Sequence, residues 1–289
     1  MQMIHYTISD NKILYTDFGD YHLQQTFECG QAFRFDRYKD GYKGFIEKQL
    51  CYITLDSGSA ACEGCCGKDA VMMVELLTGT ATDELAVKIG QFLSLDTDYT
   101  ALKAKFSQDE TLAKAIEFAP GIRVLNQDFF ETLITFIISQ NNNIPRIKQL
   151  CDRISENYGT KVGETYAFPT AEQMKNITEQ DYRDMKFGFR AKYLADAVAK
   201  VLDGTIDEAT VKSLSYDDAQ KYLLQIKGVG PKVADCVLLF SCRQYRSFPK
   251  DVWIKKAMAQ LFPDGIPKEA EGYEGIAQQY IFHYARHTL

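Results

Sequence analysis

Leu223-Leu-Gln-Ile-Lys-Gly-Val-Gly-Pro-Lys-Val-Ala-Asp235 is the stretch on which the reading of this chain turns. Its apolar spacing up to Ile226 reads as the end of an amphipathic helix. Gly228 and Gly230 flank Val229 in a tight hairpin, since glycine tolerates the positive φ such a turn needs and its bare backbone permits close approach to a ligand. Pro231 then opens a second helix, where a missing N–H costs little. The amides at the hairpin and in the first turn of that helix have no intrahelical acceptor, and the helix dipole adds positive potential there. Such an end suits a phosphate. The alternative is an ordinary helix–helix turn.

The charge pattern supports the phosphate reading. The chain of 289 residues has a formal net charge of −6, which alone argues mildly against a polyanionic partner. Residues 221–256, however, carry eight basic side chains and two acidic ones, Asp235 and Asp251, a strongly positive local field. A solvated basic face is the bland explanation of the same run. Helix, apolar-Gly-Val-Gly, then a helix with Lys232 in its first turn resembles the helix-hairpin-helix DNA-backbone motif.

Working outward, the composition is that of a globular protein, 46% hydrophobic and 25% charged, with no run of apolar residues long enough to span a membrane. The N-terminus lacks a basic region followed by an apolar one, so no secretory signal is expected, and the eight cysteines read as reduced thiols of a cytosolic protein. Cys62, Cys65 and Cys66 invite a zinc reading, but no second Cys/His pair follows at ligand spacing, so no metal is expected. No cysteine follows Cys242, which excludes a C-terminal four-cysteine iron–sulfur loop.

The first sixty or so residues read as strands, including 27–35, 42–46 and 51–55. Helices are expected at 83–95 and 99–117, and, beyond the breaker Ala119-Pro120-Gly121, at 127–139, 171–177, 179–185, 190–203, 217–226, 231–242, 252–262 and 271–287. Asn143 is placed to cap a helix carrying Pro145 early in its first turn. The expected fold is α+β: an N-terminal antiparallel β-rich domain with helices, 1–119, followed by an all-helical domain, 120–289.

Two side chains carry chemistry. Lys232 sits in the first turn of the helix after the hairpin, against the helix dipole. That makes it a candidate nucleophile, because a neutral amine is what attacks carbon. It equally suits a phosphate contact or an i,i+3 ion pair with Asp235. Asp251 precedes helix 252–262 and is placed to cap it, with Pro249 stiffening the approach. The chain reversal through 231–250 allows Asp251 to come near Lys232.

Six ordered segments resemble the 8-oxoguanine DNA glycosylase/AP lyase family of the helix-hairpin-helix glycosylases. They are Gly30-Gln-Ala-Phe-Arg34, Ile138-Ser-Gln-Asn141-Asn-Asn-Ile-Pro-Arg146, Gly188-Phe189-Arg190-Ala-Lys192, Gly228-Val-Gly-Pro-Lys232-Val-Ala-Asp-Cys236, Pro249-Lys-Asp251-Val252 and Gly275-Ile-Ala-Gln278-Gln-Tyr-Ile-Phe282. The resemblance implies that Lys232 forms the Schiff base and that Asp251 is the essential carboxylate. It implies a pocket for the extruded base with Phe282 on one face, Cys236 on the other, Gln278 at the base edge, Pro249 lining it and Gly30 as the discriminator of 8-oxoguanine from guanine. Asn141, Arg146 and Arg190 match readers of the orphaned base. Phe189 stands where the family often has a tyrosine wedge. Gly228 and Gly230 match the phosphate-binding hairpin. Trp253 departs from the histidine of eukaryotic members and suggests a bacterial one.

The implied activity is excision of 8-oxoguanine from double-stranded DNA followed by β-elimination. It needs no cofactor, no metal and no membrane, and is carried out by a monomer in the bacterial cytoplasm, at the nucleoid. Rival readings are weaker. Alkylated-purine glycosylases generally lack the lysine, and endonuclease-III-type enzymes usually carry the cysteine cluster missing here. A DNA-binding scaffold would leave Lys232, Asp251, Gln278 and Phe282 idle.

Overall fold

The computed structural model describes residues 2–58 and 69–289, so Cys62, Cys65 and Cys66 lie outside the described residues. The chain forms two compact units, Met1–Asn126 together with Lys250–Leu289, and Gln127–Pro249. These units are not consecutive halves. They differ from a linear division at 119/120 because residues 120–126 and the C-terminal segment belong with the sheet.

In the first unit, β1 (His5–Ser9), β2 (Lys12–Thr16), β3 (Phe35–Tyr38), β4 (Gly41–Ile46), β5 (Gln49–Asp56) and β6 (Val71–Leu76) form one antiparallel sheet in the order β1-β2-β6-β5-β4-β3, with α1 (Leu23–Phe27) between β2 and β3. The two-residue period decides which face is covered. On β2, Lys12 and Thr16 are exposed while Ile13 and Tyr15 are buried. Val74 of β6 pairs with Ile13 on one side and Ile53 on the other, placing three buried side chains in a row. The helix α2 (Asp83–Phe92) adds Ala86 and Ile89 to the same core, and the Tyr15 hydroxyl donates to the Ala86 carbonyl at 2.7 Å.

Two expectations are corrected here. Residues 27–35 are not a strand: Phe27 ends α1, and regular pairing starts at Phe35. The Gln31 carboxamide takes backbone partners that a ladder would otherwise supply, accepting from Leu125 N and donating to the Thr26 and Arg123 carbonyls. Nor is 99–117 one helix. It is α3 (Tyr99–Phe106) and α4 (Glu110–Phe118), because the Asp109 carboxylate accepts from the amides of Thr111 and Leu112 and so starts a new N-terminus.

The second unit opens with α5 (Phe129–Ser139), which is buried on nearly all sides and capped by Asp128. Then follow α6 (Ile144–Tyr158), the two-stranded β7 (Lys161–Val162) and β8 (Thr165–Tyr166), α7 (Ala171–Met174) and α8 (Glu179–Asp184). A 3-10 turn, Gly188–Arg190, leads into α9 (Ala191–Leu202), followed by α10 (Glu208–Ser213), α11 (Tyr216–Leu223) and α12 (Pro231–Cys242). Asn143 caps α6 as expected, its side chain accepting from Arg146 N at 3.0 Å, with Pro145 in the first turn. The buried helices α5 and α12 pack together, their Phe136 and Phe240 rings stacked at 5.4 Å.

The chain then returns to the first unit as α13 (Val252–Leu261) and α14 (Glu274–Thr288). There α14 packs on α13 and α4, and Tyr280 is fully buried. Among the described residues, no helix is long and apolar enough to cross a membrane, and no cluster of three or more His, Cys, Asp or Glu could hold a metal ion.

Candidate active site

The hairpin lies between α11 and α12. Val229 N donates to the Ile226 carbonyl at 3.1 Å to close the turn, and Gly228 has φ +78°. A side chain at Gly228 would need a strained backbone. Its Cβ would also fall 2.3 Å from the Tyr193 ring of α9, so the hairpin backbone lies directly on that ring. One turn further along α9, the Asp196 carboxylate accepts from Lys227 N at 2.8 Å and pairs with Lys227 Nζ at 3.4 Å and Lys200 Nζ at 2.9 Å. Lys200 in turn donates to the Gln225 carbonyl. Thus α9 is the seat of the hairpin, a role for Tyr193 and Asp196 that the sequence reading missed. The only local signal is their i,i+3 spacing on one helix face.

Gly230 is the N-cap of α12 and supplies no side-chain cap. An uncapped N-terminus with Pro231 and Lys232 in its first turn is the geometry an anion-binding end would have. Three residues further along α12, the buried Asp235 accepts from Tyr216 OH at 2.9 Å and Gln220 Nε2 at 2.7 Å. These bonds tie α11 to α12 and hold the two arms of the hairpin at a set angle. Lys232 Nζ lies 5.2 Å from the centroid of the buried Phe136 ring, a cation–π contact that holds the amine over α5. Cys236, four residues on, is buried on the same helix, and so is Pro249 at the end of the unit.

The residues matched to orphan-base reading are brought together within this unit. Asn141, two residues past the end of α5, adopts the left-handed conformation, φ 48°. Arg190, only 7% exposed, donates through Nε to the Gln140 carbonyl at 3.0 Å and through Nη2 to the carbonyls of Gln140 and Asn141. Burial, and then the charge of Arg146, lower its pKa from the ordinary guanidinium value. Arg190 therefore holds the Asn141 turn in shape, a scaffolding part that the motif did not reveal. Its guanidinium also lies 4.5 Å over the Phe189 ring. Phe189 is 45% exposed and edge-on to Tyr193. Arg146 is exposed and donates to the Lys186 carbonyl at 3.2 Å.

The other candidates stand in the first unit. Asp251 caps α13, accepting from Ile254 N at 2.8 Å through Oδ1. Gly30 adopts φ +85°. Gln278 and Phe282 lie one turn apart on α14, Gln278 only 3% exposed and Phe282 partly so. The ring of Trp253 carries Lys256 Nζ at 5.6 Å. Lys232, Cys236 and Pro249 thus belong to one unit, and Asp251, Gly30, Gln278 and Phe282 to the other.

Two family models divide this chain between them. Residues 13–133 match 8-oxoguanine DNA glycosylase, N-terminal domain, and residues 134–276 match the HhH-GPD superfamily base excision DNA repair protein. The N-glycosylase/DNA lyase OGG1 of Arabidopsis thaliana is 31% identical over 283 residues, which cover 92% of this chain and 74% of that protein. The chain belongs to the 8-oxoguanine N-glycosylase/DNA lyase family. This glycosylase also superposes on two solved members. The 8-oxoguanine glycosylase/lyase of Clostridium acetobutylicum, in complex with double-stranded DNA containing cytosine opposite to 8-oxoguanine, shares 34% identity with TM-score 0.84, over 99% of this chain and 98% of that one. MBOgg1, in complex with a low-affinity DNA ligand, shares 32% identity with TM-score 0.87, over 99% of each chain. This glycosylase is therefore a bifunctional base-excision repair enzyme, an N-glycosylase and DNA lyase, and its α+β fold is that of the family.

Proposed function

We propose that this glycosylase extrudes 8-oxoguanine from duplex DNA and excises it through Lys232. The observation that carries this reading is the placement of the Lys232 amine. It stands in the first turn of the uncapped helix that leaves the hairpin, with its Nζ 5.2 Å from the centroid of an aromatic ring. The hairpin and the basic stretch 221–256 engage the backbone. Phe189 wedges into the stack, and Asn141, Arg146 and Arg190 face the orphaned base. Gly30, Cys236, Pro249, Gln278 and Phe282 receive the extruded one.

The neutral Lys232 amine attacks C1′ as the bond from C1′ to the base nitrogen breaks, and the base leaves with that electron pair and takes up a proton. The Asp251 carboxylate stabilises the positive charge that grows on the sugar. Loss of the amine proton and opening of the sugar ring give an imine. Loss of a C2′ proton then expels the 3′ phosphate and nicks the strand. A water nucleophile would stop at the abasic site, so the lysine is what couples the two activities. The chain acts as a monomer without a cofactor, in the cytoplasm of a bacterial cell on nucleoid DNA.

Borohydride reduction on an 8-oxoguanine duplex is expected to trap the enzyme covalently, and Lys232→Gln to abolish the adduct. Undiminished trapping by that variant would move the nucleophile elsewhere. Asp251→Asn is expected to retain the gel shift while losing strand nicking measured on the same sample.

A further inference from the structure

Beside Gln278 on α14 stands Gln279, a second buried glutamine, 4% exposed. Its Nε2 donates to Gln278 Oε1 at 2.6 Å. A carboxamide has a donor end and an acceptor end of nearly the same shape, so what decides its direction is the partner at each end. For this pair the partner at the other end of Gln279 is the Cys29 thiol, 3.5 Å from Gln279 Oε1.

Gln31 Oε1 accepts from Leu125 N at 2.8 Å, which leaves Gln31 Nε2 toward the carbonyls of Thr26, at 2.8 Å, and Arg123, at 2.7 Å. The same Nε2 stands 3.3 Å from Cys29 Sγ, so one of its two N–H groups is shared between a carbonyl and the sulfur. The thiol proton then has the Thr26 carbonyl at 3.2 Å and Gln279 Oε1 at 3.5 Å within reach. Cys29 is a thiol and a donor at neutral pH, because burial pushes its pKa up to about 11. With Gln279 Oε1 facing the thiol, its Nε2 faces Gln278. Leu125, Gln31, Cys29, Gln279 and Gln278 thus form one connected set of hydrogen bonds, all buried and all in the first unit.

We infer that Gln279 is a positioning residue that sets lesion specificity, by fixing the direction in which the Gln278 carboxamide meets the edge of the extruded base. This rests on the reading of Gln278 as the base-edge contact. The physical consequence is a choice between two edges. A guanine-type edge offers an acceptor at O6 and a donor at N1, whereas an adenine-type edge offers a donor at N6 and an acceptor at N1. A Gln278 held in one direction matches the first, and the same side chain turned over matches the second. Donation from Gln279 engages Gln278 Oε1 and opposes the flip.

The test uses the full-length enzyme with three duplex probes: one containing 8-oxoguanine, one containing 8-oxoadenine, and one containing a tetrahydrofuran abasic analogue. Gln279→Met removes the donor and is expected to lower single-turnover excision of 8-oxoguanine about tenfold. Gln279→Glu offers only acceptors, draws Gln278 Nε2 toward itself and so reverses the amide. It is expected to cost roughly 100-fold on 8-oxoguanine and to raise relative excision of 8-oxoadenine, a change of preference that loosened packing would not produce. Affinity for the abasic analogue, which has no base to read, stays at the wild-type level in both. In the double variant with Gln278→Ala, Gln279→Met should add no further loss.

Normal excision by Gln279→Met alongside an impaired Gln278→Ala overturns the relay, and so does full additivity in the double variant. Normal excision by Gln278→Ala overturns the base-edge reading itself, and the relay with it. Should the Gln279 variants fold poorly, Cys29→Ala and Cys29→Ser carry the question, since the serine hydroxyl still donates. Cys29→Ser must then retain more of the rate than Cys29→Ala, and equal loss in the two overturns the relay.

Discussion

Arg123 is 1% exposed, yet it is a charged side chain. Its guanidinium donates to the carbonyls of Phe18, Asp20, Ser94 and Thr97 and lies 4.2 Å over the Tyr99 ring. One cation thereby gathers three loops of the first unit, while its own carbonyl accepts from Gln31. Removing it leaves several buried carbonyls without donors, a cost well above that of an ordinary surface substitution. Arg123→Met is therefore expected to destabilise the protein by about 3 kcal/mol or more, read from the midpoint of urea denaturation. An unchanged midpoint would show that the loops are held by other means. Lys232, Asp251 and Gln278 could be proposed from the sequence because the motifs that carry the family resemblance are local and ordered. Arg123 and the Gln279–Cys29 contact were not, because their partners are main-chain groups or side chains many residues away, and no local pattern encodes such pairings.

At the scale of elements, the hairpin is a feature whose parts were readable while its support was not. The turn 227–230, the helix after it and the cap at Asp251 follow from glycine, proline and capping chemistry within a few residues. The seat on α9 follows from a ring and a carboxylate that arrive from elsewhere in the unit. Gly228→Ala is expected to weaken binding to undamaged duplex by at least about tenfold in fluorescence anisotropy, since it adds both left-handed strain and a collision with Tyr193. Adding Tyr193→Ala should recover part of that loss, because the two changes share one space. Strictly additive losses would place the damage elsewhere. The strand expected at 27–35 failed for a related reason. Alternation suggested pairing, but Gly30 at positive φ and the Gln31 carboxamide redirect the backbone before any ladder forms.

Over the whole molecule, charge is unevenly spread. The total is −6, yet residues 221–256 carry eight basic side chains. Duplex affinity is accordingly expected to fall steeply and linearly on a logarithmic salt axis, with a slope of about −0.9 per phosphate engaged. Lys232→Ala should keep most of that slope, while neutralising Lys221, Lys250 and Lys255 together should flatten it. A flat response in the wild type would mean that the basic stretch does not meet the backbone.

The return of 250–289 to the N-terminal unit bears on how the protein is made. The unit that bears the amine is continuous in sequence and can be finished while translation is still under way. The unit that bears Asp251, Gln278 and Phe282 cannot close until its last helix has cleared the ribosome. A polypeptide ending before residue 250 would keep the hairpin but lack Asp251, Gln278 and Phe282, and is expected to give a gel shift on duplex DNA without strand nicking.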